Sequence, residues 1–234
     1  MQIQWLGHSA FKIVAGDAHV LFDPFLTGSP VFKGDVAETI KGTTHVLLTH
    51  GHNDHFGDTI DILKQTGATL ISTPELCNYV NSVAKGVKTL SMNIGGTVQS
   101  GIVSVAMVRA YHSSSYTAPD GQIIYGGMPT GLILKAGGHS VYHMGDTSAY
   151  SDMALTQEFY HPEIGIVPIG DHYTMGPDEA AYAVNKWFDF KTVIPCHYGT
   201  FPVLVKTAEA FQAKVRKGEV WAPDPMGSRE FSAA

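Results

Sequence analysis

Three histidines and an aspartate fall within six positions of one stretch, His50-Gly51-His52-Asn53-Asp54-His55. The stretch follows the apolar run Val46 to Leu48 and ends at Gly57. Imidazoles and a carboxylate at this density, on a loop with glycines, suit a divalent cation far better than packing. One loop cannot close a metal site, so further ligands must come from elsewhere. Three later places offer them, each at the end of an apolar run: His112 after Val108, Asp146 in Met144-Gly145-Asp146-Thr147, and His197 after Ile194-Pro195-Cys196. Each is ordinary alone. Their recurrence after strand-like runs makes a pattern, in which Asp146 can bridge two cations. Nitrogen and oxygen donors without thiolate suit Zn²⁺ first, with Mn²⁺ or Fe²⁺ as alternatives.

The elements that position these residues alternate. Residues 2–7, 10–15 and 20–22 read as strands, with a turn at Gly7-His8-Ser9 and another at Asp23-Pro24. Residues 26–43, rich in Gly, Pro, Thr and Ser, read as a loop. A strand over 45–49 feeds the metal loop. A helix from Asp58 ends at Gly67, and residues 68–72 form a strand. Thr73-Pro74-Glu75 carries N-cap, first-turn proline and early acid, and opens a helix to about Lys85. Residues 87–90 are again a strand. Residues 97–145 read as an antiparallel meander, and helices over 152–160, 177–188 and 207–215 alternate with strands over 164–169 and 192–194. Two α/β halves around a β-rich middle imply sheets packed face to face with helices outside.

The 234 residues are 44% hydrophobic and 15% charged, which predicts a well-packed globular chain. The net charge of -6 and the lack of a Lys/Arg cluster argue against a nucleic-acid partner. No apolar run approaches ~18 residues, so no membrane span is expected. Two distant cysteines, Cys77 and Cys196, do not form a disulfide framework. With no signal-like N-terminus, the expected setting is cytoplasmic.

The order and spread of the Thr49-to-His55 motif, His112, Gly145-Asp146-Thr147 and Pro195-Cys196-His197 resemble the metallo-β-lactamase superfamily. Gly7-His8-Ser9-Ala10-Phe11, Asp23-Pro24-Phe25, Ala110-Tyr111-His112, Gly170-Asp171-His172-Tyr173-Thr174-Met175-Gly176-Pro177 and His197-Tyr198-Gly199-Thr200 narrow the likeness. They resemble a bacterial and archaeal family of metal-dependent hydrolases related to the ascorbate-6-phosphate lactonases. The resemblance spans nearly the whole chain and implies one domain over residues 1–234: a four-layer αββα sandwich with mixed sheets and the site at one edge between them. It implies a first metal held by His50, His52 and His112, a second held by Asp54, His55 and His197, and Asp146 bridging both. A second histidine in the motif, His52, argues against the oxygen-reducing diiron relatives, which carry an acid there.

The implied activity is hydrolysis of a small ester or lactone by a metal-activated hydroxide, with Asp54 orienting the nucleophile. His172, Tyr173 and His8 are the candidates for moving a proton to the leaving group; His8 competes with a plain turn and His172 with a well-capped helix start. His143 reads as core or as support for the ligands, and His19, His45, His139 and His161 as surface or structural residues. Tyr111, Tyr116 and Phe25 are candidate pocket walls. A phosphodiesterase acting on lipid-like or nucleotide substrates is the alternative enzyme, and a non-catalytic metabolite-binding protein the alternative of another class. The expected partner is a small molecule, and a homo-oligomer is compatible with the chain.

Overall fold

In the computed structural model, which describes residues 1–232, the first half runs β1 (Gln2–Gly7), β2 (Ala10–Ala15), β3 (Ala18–Phe22), α1 (Val36–Ile40), β4 (His45–Leu47), α2 (Asn53–Phe56), α3 (Thr59–Thr66), β5 (Thr69–Ser72), α4 (Pro74–Val83) and β6 (Lys88–Ser91). The second half runs β7 (Thr97–Ser100), β8 (Val103–Arg109), β9 (Ser115–Thr117), β10 (Ile123–Tyr125), β11 (Thr130–Ala136), β12 (His139–His143), α5 (Met153–Tyr160), β13 (Ile164–Pro168), α6 (Pro177–Trp187), β14 (Thr192–Cys196), α7 (Glu209–Gln212), β15 (Glu219–Val220) and β16 (Ser228–Glu230).

Two mixed seven-stranded sheets result, in the orders β16-β1-β2-β3-β4-β5-β6 and β15-β14-β13-β12-β11-β8-β7. Side-chain alternation explains why they stack. On β2, Phe11, Ile13 and Ala15 join the core shared with Val105, Leu134 and Ile166 of the second sheet. On and after β4, Leu47 points to that core, while Val46 and Leu48 pack with Ile62 and Leu63 of α3 and Leu76 and Val80 of α4. On the far side, Ala180, Ala183 and Val184 of α6 join the second sheet's core. The layers are therefore helix, sheet, sheet, helix, as expected for the αββα sandwich.

The helix ends follow from local chemistry. Thr73 caps α4 by accepting from the Leu76 N–H, and Pro74 fills the first turn, where a missing N–H costs nothing. Gly67 closes α3 in the left-handed region at φ 70°.

Three features depart from the sequence reading. The expected loop over 26–43 contains α1, nucleated by Asp35, whose carboxylate accepts from the Glu38 N–H at 3.0 Å. The helix expected over 207–215 is one turn, Glu209–Gln212. Two short C-terminal strands were not foreseen. Of these, β16 pairs antiparallel with β1, aligning Arg229 with Ile3, and the N-terminal ammonium donates to the Phe231 carbonyl at 2.7 Å.

Strands β3 to β6 run parallel to one another, as do β12 to β14. Their carboxyl ends, with the turns after β1 and β8, gather the histidines and acids. The same grouping of loops at strand ends builds sites in many α/β folds. Among the described residues, no helix is long and apolar enough to cross a membrane.

Candidate metal centre

His50 lies just beyond β4, His52 caps α2, and Asp54 and His55 are consecutive on that helical turn. His112, Asp146 and His197 follow β8, β12 and β14. These seven side chains converge on one cluster. His52 Nδ1 lies 3.0 Å from His50 Nε2 and 3.2 Å from His112 Nε2. Asp146 Oδ2 is 3.9 Å from His50 Nε2, 3.6 Å from His112 Nε2 and 3.1 Å from His197 Nε2. Its other oxygen, Oδ1, is 3.3 Å from His55 Nε2. Asp54 Oδ2 lies 3.9 Å from His197 Nε2. Asp146 thus reaches both sets of donors.

Tetrahedral ligands at the ~2.0–2.1 Å bond lengths of zinc sit about 3.3 Å apart, and the observed separations bracket that value. The donors also lack other partners. His55 Nε2, Asp146 Oδ1 and both ring nitrogens of His197 are buried without a hydrogen bond among the described residues. Leaving such atoms unsatisfied costs ~1–3 kcal/mol apiece. A proton between His52 and His50 or His112 satisfies one contact; a cation satisfies all three nitrogens. The residues present therefore fit a divalent cation.

Asp23, which the sequence reading left without a role, sets the tautomers. It is fully buried at the end of β3, at a positive φ of 41°. It accepts from the Thr49 N–H at 2.8 Å, the Thr49 hydroxyl at 2.7 Å and His55 Nδ1 at 2.8 Å. The Thr49 oxygen, its proton committed to Asp23, accepts from His50 Nδ1 at 3.0 Å. Both rings therefore carry their proton on Nδ1 and turn Nε2 into the cluster. Such outer contacts orient ligands and raise their basicity. The signal available in the sequence was an acid closing an apolar strand, the same signature as Asp146.

His8 is fully buried, at φ 52°, and lies beside the cluster. Its Nε2 lies 3.0 Å from Asp54 Oδ2 and its Nδ1 3.0 Å from Thr200 Oγ1. Burial and then repulsion from His197 lower its pKa to about 4. Burial pulls the Asp54 carboxyl the other way, but the His8 hydrogen bond and nearby His55 outweigh it and hold the acid below its ordinary range. The pair is a neutral imidazole donating to a carboxylate, with Nδ1 accepting from Thr200.

The remaining electrostatics follow the same logic. Burial, then neighbouring histidine charge, pushes the His50 pKa well below its ordinary value. Burial lowers His52 and His112 as well. His55 is the exception: burial opposes its charge, but Asp146 and Asp23 outweigh burial and raise its pKa well above normal. Asp146 is held well below the carboxylate range, with His197 and His55 overcoming burial.

Two glycines permit the close approach. A Cβ on Gly145, at φ 64°, would sit 2.5 Å from the Thr130 carbonyl oxygen, and one on Gly170 would sit 2.1 Å from that of His197. His143 supports the Gly145-Asp146 turn: its Nδ1 accepts from the Gly145 N–H at 3.1 Å and its Nε2 donates to the Ser9 carbonyl at 3.0 Å. It stacks on Phe22 with ring centroids 5.3 Å apart. The reading of His143 as supporting core holds.

A cavity of about 370 Å³ opens onto the cluster, lined by His52, Asp54, His112, Ser113, Asp146, Tyr173 and His197. His172 is not among them. It is exposed, with a left-handed φ of 42°, and meets the Tyr173 ring edge-on. Of this left-handed turn, Tyr173 and not His172 belongs to the cavity lining. Two consecutive left-handed residues, Asp171 and His172, cost ~1–3 kcal/mol each. Phe25 approaches the His8 ring at 6.0 Å, and Tyr116 stacks on Phe56 at 4.1 Å, behind the cluster and outside the cavity lining. Tyr111 lies under the Arg109 guanidinium and beside Tyr150, also outside that lining. His45 and His139 are buried, bonded to Ser100 and Glu163, remote from the cluster in both cases.

The fold and this cluster define a metallo-hydrolase of the metallo-β-lactamase type, and comparison with known proteins agrees. Residues 2–197 match the beta-lactamase superfamily domain, and the chain belongs to that superfamily. It is 52% identical over 232 residues to a UPF0173 metal-dependent hydrolase of Chelativorans sp. (strain BNC1), covering 98% of this chain and 99% of the relative. The corresponding protein of Agrobacterium fabrum is 46% identical over 235 residues, covering 99% of this chain and all of the relative (100%). Among solved structures, Igni18, a metallo hydrolase from Ignicoccus hospitalis, superposes with a TM-score of 0.84 at 32% identity over 99% of both chains. The chain is a metal-dependent hydrolase of this fold.

Proposed function

We propose that the protein is a dinuclear hydrolase of a small ester or lactone. The observation that supports this reading is the placement of Asp146 between two donor sets, with unpartnered ring nitrogens on His55 and His197 and three imidazole nitrogens crowded together on the other side. His50, His52 and His112 would hold one cation, and Asp54, His55 and His197 the other, with Asp146 shared. Zinc leads because the donors are imidazole and carboxylate at tetrahedral spacing. Bound there, two divalent cations would act as Lewis acids and bring water's pKa close to neutrality.

The chain's own groups do the rest. Asp54 holds its charge because His8 donates to it, leaving its other lone pairs to orient a water. Thr49 and Asp23 engage Nδ1 of His50 and His55 respectively, so both rings turn Nε2 toward the cluster. Tyr173 and Ser113 line the cavity on the solvent side, where a substrate would enter. The two cysteines are buried and free, which accords with a reducing, cytoplasmic setting.

The test is a screen of zinc-loaded protein against lactones, carboxylic esters and bis-p-nitrophenyl phosphate. Ester or lactone turnover at least tenfold above diester turnover supports the reading. Diester turnover alone would move the assignment to a phosphodiesterase, and tight metabolite binding with no turnover to a binding protein. Asp146→Ala should abolish activity with loss of bound metal.

A further inference from the structure

We propose that Tyr173 is the specificity-determining residue of the site, and that its ring holds the apolar portion of the substrate at the cavity mouth. This deepens the reading above and rests on it for the identity of the scissile group.

The composition of the cavity carries the first half of the argument. Five of its seven lining residues belong to the donor cluster (Asp54 and the three histidines His52, His112 and His197, with Asp146), and Ser113 lies against one of them, 3.3 Å from His52 Nε2. Tyr173 is the single remaining member and supplies the one large apolar surface in the lining. The other members are acids, imidazoles and a hydroxyl, so the groups meeting a substrate beyond the cluster are an aromatic ring and neutral hydroxyls. Such a wall offers an apolar contact surface to the part of a substrate that lies beyond the cluster.

The second half concerns how the ring is presented. Tyr173 is 59% exposed, so its ring is open to solvent while lining the cavity. It is nevertheless not on a loose loop. Asp171 donates its N–H to the Met175 carbonyl at 3.1 Å, Thr174 donates to Asp171 at 2.9 Å, and Met175 donates to Thr147 at 3.0 Å. The last bond ties the turn to the residue after Asp146. Val205 donates to Gly170 at 3.0 Å and closes the other side. The two left-handed residues before Tyr173 are retained within this network. Strained backbone held by surrounding bonds, next to a polar cluster, is a feature that points to function. The ring is also free: Tyr111 packs beside Tyr150 and under Arg109, whereas Tyr173 meets only the edge of His172 among the aromatic contacts of the described residues. A rigid, unpartnered ring at the mouth of a polar cluster can accept an alkyl or aromatic group without reorganisation.

Alkyl hydroxamates test this without turnover, because their two oxygens chelate a divalent cation while the chain extends toward the mouth. Binding of acetohydroxamate and octanohydroxamate to zinc-loaded protein is measured by calorimetry, alongside zinc content. The wild-type chain should bind the octanoyl compound about tenfold tighter or better. Tyr173→Phe should keep that preference within about twofold. Tyr173→Ala should reduce it to less than about threefold, leaving acetohydroxamate affinity and zinc content unchanged. Retention of the full preference in Tyr173→Ala would overturn the proposal. An equal loss in Tyr173→Phe would overturn it too, assigning the role to the phenol hydroxyl. The readout is binding, so absence of ester or lactone turnover would refute the proposed function while leaving this result standing.

Discussion

The floor of the metal cluster and its mouth are built by opposite means. On the floor, His50, His55, Asp146 and His197 are all but fully buried, and buried polar residues orient several of them. Asp23 reaches His55 directly and His50 through Thr49, and His143 holds the Gly145-Asp146 turn. At the mouth, His52 and His112 are only partly buried, and His52 meets Ser113 at the edge of hydrogen-bond range, 3.3 Å. The Tyr173 turn is secured by backbone bonds and carries backbone strain. Buried polar networks thus fix the donor side chains from below, whereas the mouth is a surface open to solvent.

The comparison breaks most readily at Asp23. Asp23→Ala would leave the Thr49 donors and His55 Nδ1 unpaired in a dry interior. We expect a loss of about 3–5 kcal/mol in stability, read by denaturant unfolding. Metal affinity should fall roughly 10–100-fold, read by competition with a chelator. Removing Ser113, at the mouth, should change neither by a comparable amount; equal effects would erase the distinction between floor and mouth.

His8 gives a pH-dependent test. Its folded pKa, about 4, lies below the ordinary imidazole value of 6.5, so the unfolded chain binds the extra proton first as pH falls. Metal-free protein should therefore lose stability as pH drops from 6.5 towards 4, by up to about 3 kcal/mol from this residue. His8→Gln should flatten that part of the curve. An unchanged slope would show that His8 is not the neutral donor to Asp54. The raised pKa of His55 acts in the other direction and in another window: its contribution is complete below 6.5 and is lost as pH rises through its folded value.

The smallest effect belongs to the mouth. His172 sits at a left-handed φ without contacting the cluster, so His172→Gly should relieve strain and raise stability by roughly 0.5–1 kcal/mol. Hydrolysis should be unaffected. A large loss of activity would return His172 to the site.

Much of the floor was legible in the sequence because its ligands share one signature: an apolar run that ends in a histidine or an aspartate. The runs at 46–48, 103–108, 141–143 and 192–196 became buried strands whose ends meet. The helix starting at Pro74 was legible because its cap residues act locally. What stayed hidden depends on partners distant in sequence or on backbone sign. Asp23 gains meaning only when His55 arrives 32 positions later. Whether residue 172 or 173 faces the cavity turns on two left-handed dihedrals that no side-chain pattern announces. The strands at 219–220 and 228–230 are too short for alternation to register, and β16 forms because β1 offers it an edge.

The proposed metal centre turns on whether two cations share Asp146. Anomalous scattering at the zinc edge, from crystals grown with zinc, tests it most directly. The account predicts two peaks per chain, one among His50, His52 and His112 and one among Asp54, His55 and His197, both in contact with Asp146. A single peak, or a second one that displaces the His8–Asp54 hydrogen bond by ligating His8, would contradict it.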